Sequence, residues 1–159
     1  LNSIKQEKIN KNKNILILGF GGASQAIYYG FFLKGYKNVS VFNRSKKTIN
    51  IGGTNKRTKD YSLINSYLIN SDLIINTTPT NPLNKRQINL IKKTTIISDV
   101  VYQPKETPFL KGFKSNKKIY GISMLVEQAL PCFKQWFGFM PIVDESLIKK
   151  LYKKIKWPN

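Results

Sequence analysis

Apolar residues in this chain fall into short runs separated by longer stretches with helical spacing. Ile15-Leu16-Ile17-Leu18 is the first run and Val39-Ser40-Val41-Phe42 the second. Runs of this length, bounded by turn-forming residues, read as strands buried on both faces. Residues 25–34 between them carry a helical pattern. Three further runs follow: Asp72-Leu73-Ile74-Ile75-Asn76, then 95–101, then the weaker Lys118-Ile119-Tyr120. Helical patterns at 61–70, 84–92 and 107–115 lie among them. The last opens with Thr107 as N-cap and Pro108 at the first helical position. Residues 49–58 are the least defined. Gly52-Gly53 argues against a long helix there, and a short strand is expected nearby. The alternation predicts an α/β fold with a mainly parallel sheet, helices on both faces and right-handed crossovers.

The C-terminal part has a different pattern. Residues 124–137 predict a long helix with Leu125, Ala129, Cys132, Phe133, Trp136 and Phe137 on or near one face. Pro131 should kink or break it. Gly138 should end it, and 144–155 should form a final helix. So aromatic a helix needs something to pack against, either the sheet edge or a part of the protein outside this chain.

The stretch Gly19-Phe20-Gly21-Gly22-Ala23-Ser24 joins the first strand to the first helix. Strand, glycine turn, helix and strand form the unit that holds the pyrophosphate of a dinucleotide in Rossmann-like, doubly wound folds. Glycine lets the backbone turn tightly and approach phosphate oxygens. The helix then offers them its unpaired N–H groups and the positive end of its dipole. Taken alone, the turn also fits an ordinary strand-to-helix connection. The end of the second strand adds chemistry. An acid there would grip a ribose 2′-OH, but the chain has Asn43-Arg44-Ser45-Lys46-Lys47. An Arg fork suits a 2′-phosphate, so NADP is expected rather than NAD. The competing reading is a solvated basic turn in a very basic protein, stronger for Lys46 and Lys47 than for Arg44.

Composition narrows the field. The chain has 159 residues, enough for one ordinary domain with a core. It shows no transmembrane-length apolar run and no signal segment, so a soluble cytoplasmic protein is expected. The lone Cys132 and the absence of histidine leave no disulfide, no metal spacing and none of the commonest acid–base group. A net charge of +19 points first to nucleic acid. The lysines, however, are spread along the chain together with Asn and Ile, and no nucleic-acid-binding motif interrupts them. Specific nucleic-acid binding is therefore not expected.

Taken in order, several stretches resemble the C-terminal, NADP-binding half of shikimate dehydrogenase. They are the glycine turn, Asn43-Arg44-Ser45, Asp72-Leu73-Ile74-Ile75-Asn76-Thr77-Thr78-Pro79, Asp99-Val100-Val101-Tyr102-Gln103-Pro104, Glu106-Thr107-Pro108, Gly121-Ile122-Ser123-Met124-Leu125-Val126-Glu127-Gln128 and Trp136-Phe137-Gly138. The resemblance covers about 13–155 and implies reversible hydride transfer between NADPH and 3-dehydroshikimate, giving shikimate. It implies that Gly19, Phe20, Gly21, Gly22 and Ala23 hold the pyrophosphate. Asn43, Arg44, Ser45, Lys46, Lys47 and Thr48 would meet the 2′-phosphate, and Val100 and Gly121 would line the nicotinamide. Tyr102 and Gln128 would face the substrate. Asp99 reads as structural, ordering the loop after its strand. The chain departs from the family pattern in three places. No Gly-Met follows Thr78-Pro79. The helix after Asn43-Arg44-Ser45 is shortened around 51–53. Thr48 stands where an arginine is often found, leaving Arg44 with Lys46 or Lys47 to carry the charge.

The family's substrate domain, with the Lys and Asp that move the proton, would lie N-terminal to this region, and residues 1–13 contain none of its motifs. The expected division is 1–12 as tail or connection, 13–121 as NADP-binding domain, and 122–159 as helices packing toward the absent domain. A chain starting at Leu1 is expected to be a fragment, inactive alone, with that domain and a homodimer as partners. The alternatives are a non-catalytic NADP-binding module, a half-enzyme completed by a separate chain, and a basic nucleic-acid-binding domain.

Overall fold

A computed structural model describes residues 9–51 and 53–154. Most of the expected tail, Gly52 and the end of the last predicted helix lie outside the described residues. Five strands form one parallel sheet: β1 (Ile15–Leu18), β2 (Val39–Phe42), β5 (Leu73–Asn76), β6 (Ile96–Asp99) and β7 (Lys118–Ile119), in the order β2-β1-β5-β6-β7. The connections carry α1 (Gly22–Leu33), α2 (Ile64–Asn70) behind a 3-10 turn (Tyr61–Leu63), α3 (Lys85–Asn89) and α4 (Pro108–Lys111). This is the doubly wound, mainly parallel sheet that the alternating pattern predicts.

Alternation along the strands builds a core on each face. On one side Leu16, Leu18 and Ile74 meet Ile64 and Leu68 of α2 and Phe109 and Leu110 of α4. On the other, Ile15, Ile17 and Ile75 meet Tyr28 and Phe31 of α1. All four residues of β1 are buried to within 2% exposure. That is why this strand shows no polar alternation in sequence. Each such Leu, Ile or Phe contributes about 1.5–3 kcal/mol by leaving water.

Where the sequence is least defined, the structure has a hairpin. β3 (Thr48–Ile51) and β4 (Thr54–Arg57) pair antiparallel, Thr48 opposite Arg57 and Asn50 opposite Asn55. The chain then returns along the open edge of β2. Lys59 N–H donates to the Val41 carbonyl at 2.8 Å, and Asn43 N–H donates to the Lys59 carbonyl at 3.2 Å. The two middle helices are shorter than their patterns predict. α3 opens with a full capping box between Asn84 and Gln87 and ends after five residues. α4 has the expected Thr107 cap and Pro108, but stops at Gly112.

The last two helices are α5 (Gly121–Phe137) and α6 (Glu145–Lys154). α5 starts a turn earlier than predicted and continues through Pro131, with no local break. A proline removes one N–H and thus one hydrogen bond of the ladder. Gly138, in the left-handed region, closes it with its N–H on the Lys134 carbonyl at 2.8 Å. Only Gly121 and Ile122 of α5 are buried; Trp136 is 75% and Phe137 59% exposed. The Lys105 ammonium lies 4.9 Å from the Tyr120 ring centroid and 5.1 Å from that of Tyr152, linking α6 to the loop after β6. Among the described residues no helix is long and apolar enough to cross a membrane.

Candidate functional site

Parallel register brings four chain ends together. Phe42, Leu18, Asn76 and Asp99 sit side by side at the carboxyl ends of β2, β1, β5 and β6. Three strand spacings make a row about 14 Å long. The chain leaves β1 toward β2 and later leaves β5 in the opposite direction, so the crevice above β1 and β5 is the topological switch point, where open α/β sheets bind ligands.

The glycine turn stands there. Gly19 adopts φ +102°, a conformation that side chains rarely tolerate. Its N–H donates to the Phe42 carbonyl at 2.8 Å, and the buried Ser24 hydroxyl donates to the Gly19 carbonyl at 2.8 Å. Next door, Thr77 gives both its N–H and its hydroxyl to the Leu18 carbonyl, at 2.9 and 2.7 Å. A Cβ on Gly19 would fall 2.6 Å from the Thr77 hydroxyl oxygen. At Gly21 and Gly22 a Cβ would meet no protein atom within 4 Å. No side chain caps α1, and no acid lies in its first turn. The first N–H groups of this 12-residue helix therefore point toward open approach, a donor set that fits a pyrophosphate.

These contrasts separate folding from binding. Gly19→Ala should cost about 2–3 kcal/mol through the positive φ and the Thr77 contact. Gly22→Ala should keep the melting temperature or raise it slightly, since alanine is the better helix former, while weakening any ligand whose phosphates approach the backbone. Paired thermal melts and dinucleotide titrations check both; equal destabilisation by the two changes would contradict this account of the turn.

Beyond β2, the Asn43 side chain bonds the Ser45 carbonyl at 2.9 Å and its hydroxyl at 3.2 Å, closing a tight turn around Arg44. Thr58, 7% exposed, accepts from the Lys47 N–H at 2.9 Å and fastens the start of the hairpin to that turn. Arg44, Lys46, Lys47 and Thr48 are exposed. Burial pushes the Tyr61 hydroxyl pKa up, with the neighbouring Arg44 charge opposing it. The Asp60 carboxyl is held below its ordinary value by the Ser62 N–H and hydroxyl, with Lys46 adding to the effect.

At the other end of the row the polar groups are buried. The Asn76 carboxamide donates to the carbonyls of Thr78 and Thr80 and to Asp99, and accepts from the Thr78 N–H and hydroxyl. Asp99, 1% exposed, also accepts from the Val101 N–H at 3.1 Å and the Thr107 hydroxyl at 2.5 Å. Burial raises its carboxyl pKa, and the Thr107, Val101 and Asn76 donors pull it back. A cavity of about 290 Å³ opens beside these groups, lined by Ala26, Ile27, Ile75, Val100, Gly121, Met124 and Gln128 among others. α1 thus runs from the glycine turn to this cavity.

The structure gathers the predicted residues into three neighbouring places: the turn at 19–23, the basic loop at 43–48, and the cavity holding Val100, Gly121 and Gln128. Tyr102 is half-buried on the loop after β6 and does not line that cavity. Asp99 has the structural setting its sequence context implies. The fastening groups Ser24, Asn76, Thr77 and Thr107 are not singled out as site residues by the sequence, although all four lie in its quoted motifs. Ala26 and Ile27 carry no sequence signal beyond helix spacing, and Met124 lies in a quoted motif without being singled out as a site residue.

No protein-family model matches the chain. It is 36% identical over 146 residues to the shikimate dehydrogenase (NADP+) of Bartonella tribocorum, covering 83% of this chain and 50% of that protein. It is 35% identical over 158 residues to the protein of the same name from Methanococcus maripaludis, covering 88% and 56%. A crystal structure of a shikimate dehydrogenase in complex with NADP+ matches with TM-score 0.76 at 25% identity, over 98% of this chain and 60% of that one. The resemblance carried by the ordered motifs is borne out. The chain spans about half the length of the curated relatives it matches.

Proposed function

From this kinship with shikimate dehydrogenases, we propose that the chain is the cofactor-binding half of an NADP-dependent enzyme that interconverts 3-dehydroshikimate and shikimate. The observation that carries the reading is the row itself. Basic loop, phosphate turn and apolar cavity follow one another along the carboxyl ends of β2, β1, β5 and β6, in the order of the parts of a dinucleotide. When bound, the cofactor supplies the hydride. The chain's residues bind and orient. The N–H groups of the turn and of α1 take the pyrophosphate. Arg44, with Asn43, Ser45, Lys46, Lys47 and Thr48, takes the 2′-phosphate. Val100 and Gly121 give the cavity a close backbone wall that keeps water from one face of the ring.

A polyhydroxy acid calls for both donors and acceptors, which Tyr102 and Gln128 offer. Among the described residues no Lys–Asp pair lies in this site, so the proton donor is assigned to the additional half that the longer relatives carry. That half is expected to pack on the exposed aromatic end of α5, with 13–121 as the NADP-binding domain and 122–159 as the connecting helices. The relatives' greater length supports this division.

Arg44→Ala should raise the Kd for NADPH about 10- to 100-fold while leaving NADH within about twofold, because charge-assisted bonds to the 2′-phosphate exist for one ligand only. Titration of both reduced cofactors, followed by their fluorescence, measures the difference. Equal losses would remove Arg44 from the site. Turnover of shikimate by this chain alone would instead refute the need for a separate substrate half.

A further inference from the structure

Thr48 and Arg57 face each other across the β3–β4 hairpin. Directly opposed residues of an antiparallel pair project from the same face, with Cβ atoms about 4.5–5.5 Å apart. The next pair on the same face, two residues on, confirms the alternation: the Asn50 carboxamide donates to that of Asn55 at 2.9 Å. Directly after β4 the chain is fastened to the basic loop. Thr58 N–H donates to the Lys47 carbonyl at 2.9 Å, and the Thr58 hydroxyl donates to the Ser45 carbonyl at 3.4 Å. Asn43 N–H reaches the Lys59 carbonyl at 3.2 Å. Arg57 also lines the groove of about 670 Å³ beside β2 that Phe20 of the glycine turn enters.

Charge points the same way. A dianionic phosphate calls for two cations, and a forked guanidinium matches its oxygens better than an ammonium. Arg44 is one such group. Among the described residues Arg57 makes no ion pair with a carboxylate.

We propose that Arg57 is a specificity-determining residue for the 2′-phosphate of NADP, reaching from the hairpin to supply the second guanidinium that Thr48 cannot. The inference rests on the NADP reading above and adds to it a residue from a segment that joins the site only through strand pairing.

The test is titration of the full chain with NADPH and NADH, with circular dichroism and thermal melts as fold controls. Arg57→Gln should raise the Kd for NADPH about tenfold and that for NADH less than about twofold. Arg57→Lys, which keeps the charge but loses the fork, should fall between, near threefold. Thr48→Arg added to Arg57→Gln should recover most of the NADPH affinity, because it returns a guanidinium to the opposed position. An Arg57→Gln protein that binds NADPH within twofold of the unaltered chain, while Arg44→Ala loses tenfold, overturns the proposal and leaves the NADP reading standing. An unaltered chain that binds the two cofactors equally, with Arg44→Ala silent, overturns both.

Discussion

Gly121→Ala is expected to lower the melting temperature by roughly 10 °C and to weaken dinucleotide binding in the same protein. A Cβ at this position would lie 2.5 Å from the carbonyl oxygens of both Val100 and Val101 and 2.6 Å from the Val101 carbonyl carbon. These are backbone atoms at the end of a central strand, so no side-chain rotation relieves the clash. Either α5 moves away from the sheet, or the end of β6 shifts. The first exposes Ile122, now 1% accessible. The second disturbs the Val101 N–H bond to Asp99. Such overpacking costs about 3 kcal/mol, and in a domain of this size each kcal/mol is worth about 2–4 °C. Because Val100 and Gly121 line the cavity, binding suffers with stability. Unchanged melting would show that α5 is not held against the strand end as described.

Asp99→Ala should cost about 3 kcal/mol by a different route. The carboxylate accepts from Asn76, Val101 and Thr107, all in buried or half-buried surroundings. Removing it orphans the Val101 N–H and the Thr107 hydroxyl, while Asn76 keeps the Thr78 and Thr80 carbonyls, and it loosens the cap of α4, since the Thr107 oxygen also accepts the Leu110 N–H at 3.2 Å. Asp99→Asn tests the charge. The folded pKa is raised above the ordinary 3.8. The stability this titration contributes is therefore fully present below 3.8 and lost as pH rises through the folded value. Relative to the asparagine variant, the unaltered protein should lose advantage across that window. Denaturant melts from pH 3 upward measure it, and a gain in advantage with pH would show that the donors outweigh burial.

What could be read from the sequence follows from where each element gets its stability. β1, β2, β5 and β6 are legible because strands buried on both faces must be continuously apolar. The glycine turn is legible because few residues can take φ +102° where Thr77 presses close. The hairpin is hidden for the opposite reason. Thr48-Ile49-Asn50-Ile51 alternates over only four residues and Thr54-Asn55-Lys56-Arg57 is wholly polar, which marks at most one short strand and not a hairpin. The order of that segment comes from its pairing and from Thr58, a contact eleven residues from Lys47 in sequence. The early start of α5 is missed because a glycine is a poor helix former, and only its fit under the Val100 and Val101 carbonyls explains its place. Arg44 could be proposed as a phosphate ligand from its motif. Arg57 could not, because its neighbourhood exists only once the hairpin has folded.

The return of the chain along β2 has a consequence for the protein's behaviour at high concentration. A parallel sheet ending in a bare apolar strand is a template on which another molecule can add a strand. Here the Val41 carbonyl and the Asn43 N–H are already taken by Lys59. The groove alongside is lined by Lys37, Lys56, Arg57 and Lys59. An incoming strand would have to displace a backbone pairing and bring its own dipoles up to four cations. The returning segment thus guards the β2 edge against lateral growth, and removing it should be felt first as aggregation, before any loss of secondary structure.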